Sequence, residues 1–544
     1  MTDRLSRRTL IIGTVGLAAA ACGSDQETDP ALTGAPPSGS ETTSTTVPGP
    51  ATTVPTGVSD VDLAGDPFTL GVASGEPLPD AVVLWTRLAP EPLSVDGGMP
   101  ADTAVEVRWE LATDDGFADI VADGSVTAES RHAHSVHVDA TGLDPATDYV
   151  YRFTVGDFTS PVGRTRTLRD GGSDPYRFAL TTCQEFQWGE YAAWRSVAER
   201  DDLDAVVFTG DYIYESPPGD LSPDQNGRRV WATPPPSTLD DFRSRYAQTK
   251  ADPSLQAAHQ AVPWFVMWDD HEIADNYWSD GGGQIDPIGG DFAARRTAAY
   301  QAWWEHQPVH FDPPVDGRLD VHRSIRVGDL AQLHLIDTRQ HADEPPCRDT
   351  SVLDAGTGCD ERLDPERTLL GPDQEAWLLD AVAGADKEWN VLVSPSMFSG
   401  LDISADPTAE PAYYLESWDG YPAARRRVAD ALRRADAAPV VLTGDYHASF
   451  VLDVGPGFDD EPLCAEFMTP AISSVPFSED HSGGNPHVRY FDAANGYVVC
   501  TLTSNECQAD YVTVDDVWNP TSSTAEVASY RVERGDTVAT PVVG

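Results

Sequence analysis

The sequence predicts an α/β protein, a layered α/β/α domain preceded by a small all-β sandwich. Short alternating runs such as "VEVRWELATD" and "DYVYRFTVG" come first, and apolar runs then alternate with helix-like stretches. Many of the later runs end in polar or reactive residues, and one phrase, Thr-Gly-Asp-Tyr, closes two of them. At 544 residues the chain is long enough for more than one hydrophobic core.

The elements follow in order along the chain. In residues 1–22, Arg4, Arg7 and Arg8 precede an apolar run, Leu10 to Ala21, that is too short for a membrane span. "SRRTLI" resembles a twin-arginine export signal, and Ala19-Ala20-Ala21-Cys22 resembles a lipoprotein cleavage box, with Ala19 where Leu is usual. A lipid anchor on Cys22 and a place in the cell envelope, or secretion, are therefore expected. Residues 23–61 are rich in Thr, Pro, Ser and Gly, with too few bulky apolar residues to fold, and read as a stalk.

Residues 66–168 carry period-two runs separated by turn chemistry such as "GLDPATD", the pattern of a fibronectin- or immunoglobulin-like sandwich. His132, His134 and His137 read as a solvated strand face there, not a metal site. After "RDGGSDP", residues 175–516 alternate strand candidates ("YRFALTTCQ", "DAVVFTGD", "VPWFVMWDDHE", "LAQLHLIDTRQ", "WNVLVSPSMF", "PVVLTGDYH") with helix candidates. The helix candidates are "GEYAAWRSVAER", "DFAARRTAAYQAWWEHQ", "LGPDQEAWLLDAVAGA" and "AARRRVADALRRA". Residues 517–544 read as a C-terminal extension.

Asp plus Glu number 88 against 36 Lys plus Arg, a formal net charge of −52. Charge of that sign opposes sequence-independent attraction to nucleic acid, which leaves nucleic acid only as a substrate. Some of those carboxylates are suited to hard cations with oxygen ligands. A strand ending in Gly-Asp projects a carboxylate beyond the sheet edge, and the Gly permits close backbone approach. Asp211 with Tyr214, and Asp445 with His447, stand at two such ends. "WDDHE" brings Asp269, Asp270, His271 and Glu272 to a third, and "TTCQ" brings Cys183 to a fourth.

The order GDxxY at Gly210 to Tyr214, Asp-His-Glu at Asp270 to Glu272 and GDxH at Gly444 to His447 resembles the calcineurin-like metallophosphoesterase superfamily. "SGEPLPDAVVLWTRL", "TTCQEF", "GDYIYE", "IDTRQ", "LGPDQEAWL", "WDGYPAARRR" and "VTVDD" are similar to the alkaline phosphatase D (PhoD) family, over about Asp66 to Asp516. The resemblance implies an α/β/β/α sandwich and an exported phosphatase acting on phosphomonoesters and phosphodiesters. It also implies Fe3+ and Ca2+ as cofactors, a phosphate ester as partner, and water activated by the metals as nucleophile.

By the same resemblance, Asp211 bridges two metals, Tyr214, Cys183 and His447 bind iron, and Asp270 and Asp445 turn the second site towards calcium. "VSPSMF" lacks the histidine usual near that strand end, so Asp337 and Asp419 are further candidates for the second site. His271 is expected to donate a proton or stabilise the transition state, Arg339 to clamp phosphate with its planar fork, and Asn276 to contact phosphate or metal.

Among the cysteines, Cys347 and Cys359 flank one loop and are expected to pair. Cys500 pairs with either Cys507 or Cys464. Two other functions compete. One is a zinc or manganese phosphodiesterase or nucleotidase of the same superfamily, and the other is a non-catalytic surface-binding protein with a structural metal.

Overall fold

The apolar runs of the larger domain form parallel strands. Tyr176–Thr181, Ala205–Phe208 and Trp264–Val266 run side by side in one sheet. Ala331–Leu335, Trp389–Val393, Ala438–Thr443 and Cys464–Met468 do so in another. In this computed structural model the described residues are 63 and 65–543, excepting 220–228, 283–288, 348–358, 405–409 and 456–460. The expected signal with Cys22 and the stalk at 23–61 lie outside the described residues.

Antiparallel strands extend the two sheets to ten and seven members among the described residues. Side chains alternate between faces along each strand. Trp389, Val391 and Val393 enter the core shared with the first sheet, while Leu392 enters the core beneath helices Gly371–Ala383 and Pro422–Arg434. Helices Ala192–Ala198, Leu239–Lys250, Pro253–Ala261 and Phe292–His306 pack with the first sheet. Trp194, for example, lies with its ring 4.7 Å from that of Trp264. The layers are therefore helix, sheet, sheet, helix. Burial on both faces explains why these strands read as continuous apolar runs.

Helices Leu239–Lys250 and Pro253–Ala261 were not among the sequence expectations, although their start signals are local. Thr238 and Asp241 form a capping box, and Asp252 caps a helix that begins with Pro253. No helix of the described residues is long and apolar enough to cross a membrane.

In the N-terminal region a five-stranded sheet that includes Ala104–Ala112, Ile120–Glu129 and Asp148–Val155 faces strands Val72–Gly75, Ala81–Arg87 and Ser135–Thr141 across one core. The second layer is not a separate sheet. Gly75 pairs with Trp264, so these strands continue the ten-stranded sheet. At the opposite edge, Thr524–Glu533 pairs with Glu506–Val514, so the residues beyond 516 supply strands to the same sheet.

The three histidines depart from a solvated face. His134 is buried and meets Thr103 Oγ1 at 3.0 Å, and His137 stacks on Trp304 at 4.6 Å while its Nε2 lies 2.9 Å from the Gln307 carbonyl. His132 and His137 line the seam against helix Phe292–His306, where packing on Trp304 replaces water. Cys347 and Cys359 are bonded, whereas Cys464, Cys500 and Cys507 are free and buried. Cys500 lies opposite Ala509, and Cys507 opposite Leu502, so strand register does not bring the two directly face to face.

Candidate active site

Each chemical residue follows a parallel strand of one of the stacked sheets, so the loops meet along one rim. Cys183 follows Tyr176–Thr181, Asp211 follows Ala205–Phe208, Asp269 and Asp270 follow Trp264–Val266, and Asp445 and His447 follow Ala438–Thr443. Cys183, Asp211, Asp445 and His447 all have left-handed backbones, with φ of 53°, 64°, 69° and 55°. Such conformations cost roughly 1–3 kcal/mol each and persist where surrounding structure enforces them.

Two glycines make the close approach possible. A Cβ on Gly210, whose φ is 129°, would lie 2.5 Å from the Asp269 backbone nitrogen. A Cβ on Gly444 would lie 2.5 Å from Thr209 Oγ1 and 2.8 Å from Thr182 Oγ1. The repeated Gly-Asp thus allows neighbouring strand ends to pack tightly beneath a projecting carboxylate.

Asp211 is the hub. Its Oδ2 accepts from the Tyr214 hydroxyl at 2.9 Å and from Cys183 Sγ at 3.3 Å, and Tyr214 Oη lies 3.3 Å from His447 Nε2. His447 Nδ1 lies 2.9 Å from the Val475 carbonyl, which fixes the proton on Nδ1 and leaves Nε2 as a ligand atom. Ligand atoms of Cys183, Asp211 and His447 lie within 4.8 Å of one another, as do those of Asp211, Asp270 and His271, and those of Asp269, Asp270 and Asp445. Thiol and imidazole join Asp211 in the first of these groups, with the Tyr214 phenol beside them, and the last group is made of carboxylates alone.

Asp337 and Asp419 are outside these groups. Asp337 Oδ1 accepts from the backbone of Arg339 and Gln340, and Asp419 accepts from Arg425 Nη1 at 2.6 Å and Leu401 N at 2.9 Å. Both shape loops. Arg339 lies at the carboxylate cluster, with Nε 2.5 Å from Asp269 Oδ1, and Nη2 3.4 Å from Asp270 Oδ1 and 3.8 Å from Asp445 Oδ2. Its side chain is only 3% exposed, so the guanidinium is occupied by protein carboxylates instead of presenting an open fork. Asn276 braces Asp270 through its backbone N–H at 2.6 Å, and its Oδ1 lies 3.4 Å from Arg339 Nη1.

His271 stacks on Tyr214 at 4.2 Å, and its Nδ1 lies 2.8 Å from Glu215 Oε2. Burial works against the imidazolium, but Glu215, Asp270 and Asp211 together raise its pKa well above the ordinary value. Glu215 was not anticipated, although it ends the same "GDYIYE" phrase. Asp269 precedes Asp270 in "WDDHE", and the resemblance assigns it no ligand role. Ser474, which donates to Tyr214 Oη at 2.8 Å, arrives from 260 residues away and has no local signal. Glu272 accepts from the backbone of Asp211, Tyr212 and Asp269 and ties two of the loops together.

The donors fit cations. Burial raises the Asp211 carboxyl to about 8, with Asp270 and Asp269 adding to the rise and His271 opposing it. Burial likewise raises Asp269 to about 6, against the pull of Arg339, and raises the Cys183 thiol far above its ordinary value. Asp269 Oδ2 is buried with no hydrogen-bond partner. Acids that cannot all ionise beside one another do so when cations take the place of their protons.

Stacked sheets with these donors at their strand ends define the class of a layered α/β hydrolase whose site is suited to metal ions. The model for PhoD-like phosphatases matches residues 178–511, and that for their N-terminal domain matches residues 54–169. Alkaline phosphatase D of Bacillus subtilis (strain 168) is 39% identical over 488 residues, which cover 87% of this chain and 82% of that protein. A solved structure of PhoD aligns with a TM-score of 0.83 at 38% identity, covering 89% of this chain and 93% of its own. The chain belongs to the PhoD-like phosphatase family and is a phosphatase.

Proposed function

We propose that this phosphatase hydrolyses phosphomonoesters and phosphodiesters at a mixed ferric iron and calcium centre. Cys183, Tyr214 and His447 would hold the iron, Asp269, Asp270 and Asp445 the calcium, and Asp211 would serve both. Asp211 carries this assignment, because its carboxylate touches the thiol and the phenol and is also grouped with Asp270. Thiolate, phenolate and imidazole favour a transition metal, whereas an all-carboxylate group favours a hard cation.

When bound, the ions supply Lewis acidity that activates water and neutralises phosphoryl oxygens. His271, held at Nδ1 by Glu215, is oriented to deliver a proton from Nε2 to the departing oxygen. Arg339 balances the charge of Asp269 and Asp270 without binding substrate, and Asn276 fixes Asp270. For the chain's start, we propose twin-arginine export and a lipid on Cys22. Acyl labelling that is lost in Cys22→Ala tests the latter.

Purified enzyme is expected to contain iron and calcium and to release phosphate from p-nitrophenyl phosphate. It should show a visible tyrosinate-to-iron band that disappears in Tyr214→Phe. Colourless, active enzyme containing zinc or manganese would overturn the iron assignment in favour of the nucleotidase-type alternative.

A further inference from the structure

We infer that Phe477, backed by Tyr446 and Tyr414, forms a flat apolar subsite for a planar aromatic group, carried on the branch of a phosphodiester that stays on phosphorus. This rests on the phosphoesterase reading above and adds a substrate class to it.

The loop after Ser474 supplies the first observation. Val475 and Phe477 are 47% and 43% exposed, although this loop touches the innermost part of the site. The Val475 carbonyl holds His447, and the Phe477 ring lies nearly parallel to the His447 imidazole, with centroids 5.2 Å apart and planes 10° apart. One face of Phe477 is thus covered by a candidate ligand, and a second flat ring can extend the stack on its solvent side. Tyr446 meets Phe477 at 5.5 Å and 64°, and Tyr414 meets Tyr446 at 5.6 Å and 74°, so further rings pack edge to face around the platform.

The start of this loop is held in place. Ser473 and Ser474 both donate backbone N–H groups to the Cys183 carbonyl at 3.3 Å, and Asn495 Nδ2 donates to the Ser474 carbonyl at 2.7 Å. An aromatic side chain on a fixed loop loses little freedom when it binds, which makes it an efficient recognition surface.

A run of ring contacts locates the subsite. His271 stacks on Tyr214, the Tyr214 hydroxyl meets His447, and Phe477 stacks on His447. The proton donor and the platform therefore stack on different candidate ligands, Tyr214 and His447, and the subsite is assigned to the ester branch that keeps its bond to phosphorus. Glu479, exposed two residues further on, disfavours a second anion there. An uncharged planar substituent suits the surface best.

Phenyl p-nitrophenyl phosphate and cyclohexyl p-nitrophenyl phosphate test this, because they share a leaving group and a charge, differ in the flatness of the staying branch, and carry a difference in electron withdrawal that is the same for wild type and Phe477 variants. The wild type is expected to favour the phenyl ester about fivefold to tenfold in kcat/KM, mainly through KM, as base stacking on aromatic side chains does. The ratio should fall severalfold in Phe477→Ala and in Phe477→Leu, which keeps apolar bulk without a plane, and should persist in Phe477→Trp. An unchanged ratio in Phe477→Ala, or a parallel loss on both esters, would reduce Phe477 to a cover for His447 and overturn the subsite. An active wild type with no preference overturns the subsite alone, whereas inactivity on every ester overturns the phosphoesterase reading beneath it.

Discussion

The turn at Gly210–Asp211 lies at the centre of the site and the turn at Gly444–Asp445 at its mouth. Asp211 is 1% exposed, and the Asp445 side chain 31%. After the first turn come Tyr214 and Glu215, which bond to Asp211 and to His271. After the second come Tyr446 at the aromatic rim and the inward-facing His447. The same four residues thus build a hub in one place and a gatepost in another, and the neighbours decide which.

Removing each carboxylate should break that symmetry most visibly. Asp211→Asn is expected to lower kcat by on the order of 10³-fold or more and to deplete both metals. Asp445→Asn should cost about 10²-fold and deplete calcium before iron. Elemental analysis beside steady-state rates checks both variants, and equal losses in rate and in both metals would erase the distinction between hub and gatepost.

Next in size is the effect of filling the glycines. Gly210→Ala places a methyl against the Asp269 backbone in a left-handed conformation and should destabilise the fold by about 3 kcal/mol in urea unfolding. Gly444→Ala meets Thr209 and Thr182 side-chain hydroxyls, which can shift, and should cost about 1–2 kcal/mol.

A further effect, read only as a slope against pH, separates both turns from the scaffold that holds them. Burial lowers His134 and His334 from an ordinary 6.5 to about 4, so each stays neutral in the folded chain while the unfolded chain binds a proton. Their contribution is complete above 6.5 and is lost as pH falls towards 4, at no more than about 1.4 kcal/mol per unit for each ring. Melting temperatures from pH 7 to 4 should fall accordingly, with a shallower fall in His334→Gln. An identical slope in that variant would assign the acid sensitivity elsewhere.

Much of the site was legible because its residues end strands. Apolar runs announced the parallel strands, and the polar residue after each run named Cys183, Asp211, Asp270 and Asp445. The less legible part depends on contacts between segments far apart in the chain. Nothing near Ser474 signals that it reaches Tyr214, and nothing in "IDTRQ" signals that Arg339 is enclosed by Asp269 and Asp270. Two of the N-terminal histidines differ from a solvated face for the same reason, since Trp304 covers His132 and His137 from another element.

The pairing of Gly75 with Trp264 has a consequence for any attempt to shorten the protein. Cutting the chain before Tyr176 would strip the neighbour from strand Trp264–Val266 and bare a row of backbone donors and acceptors, an adhesive border inviting clumping. The front third is therefore better regarded as a hem finishing a woven edge than as a detachable accessory, and a trimmed enzyme would need another strand sewn into that position to remain dispersed.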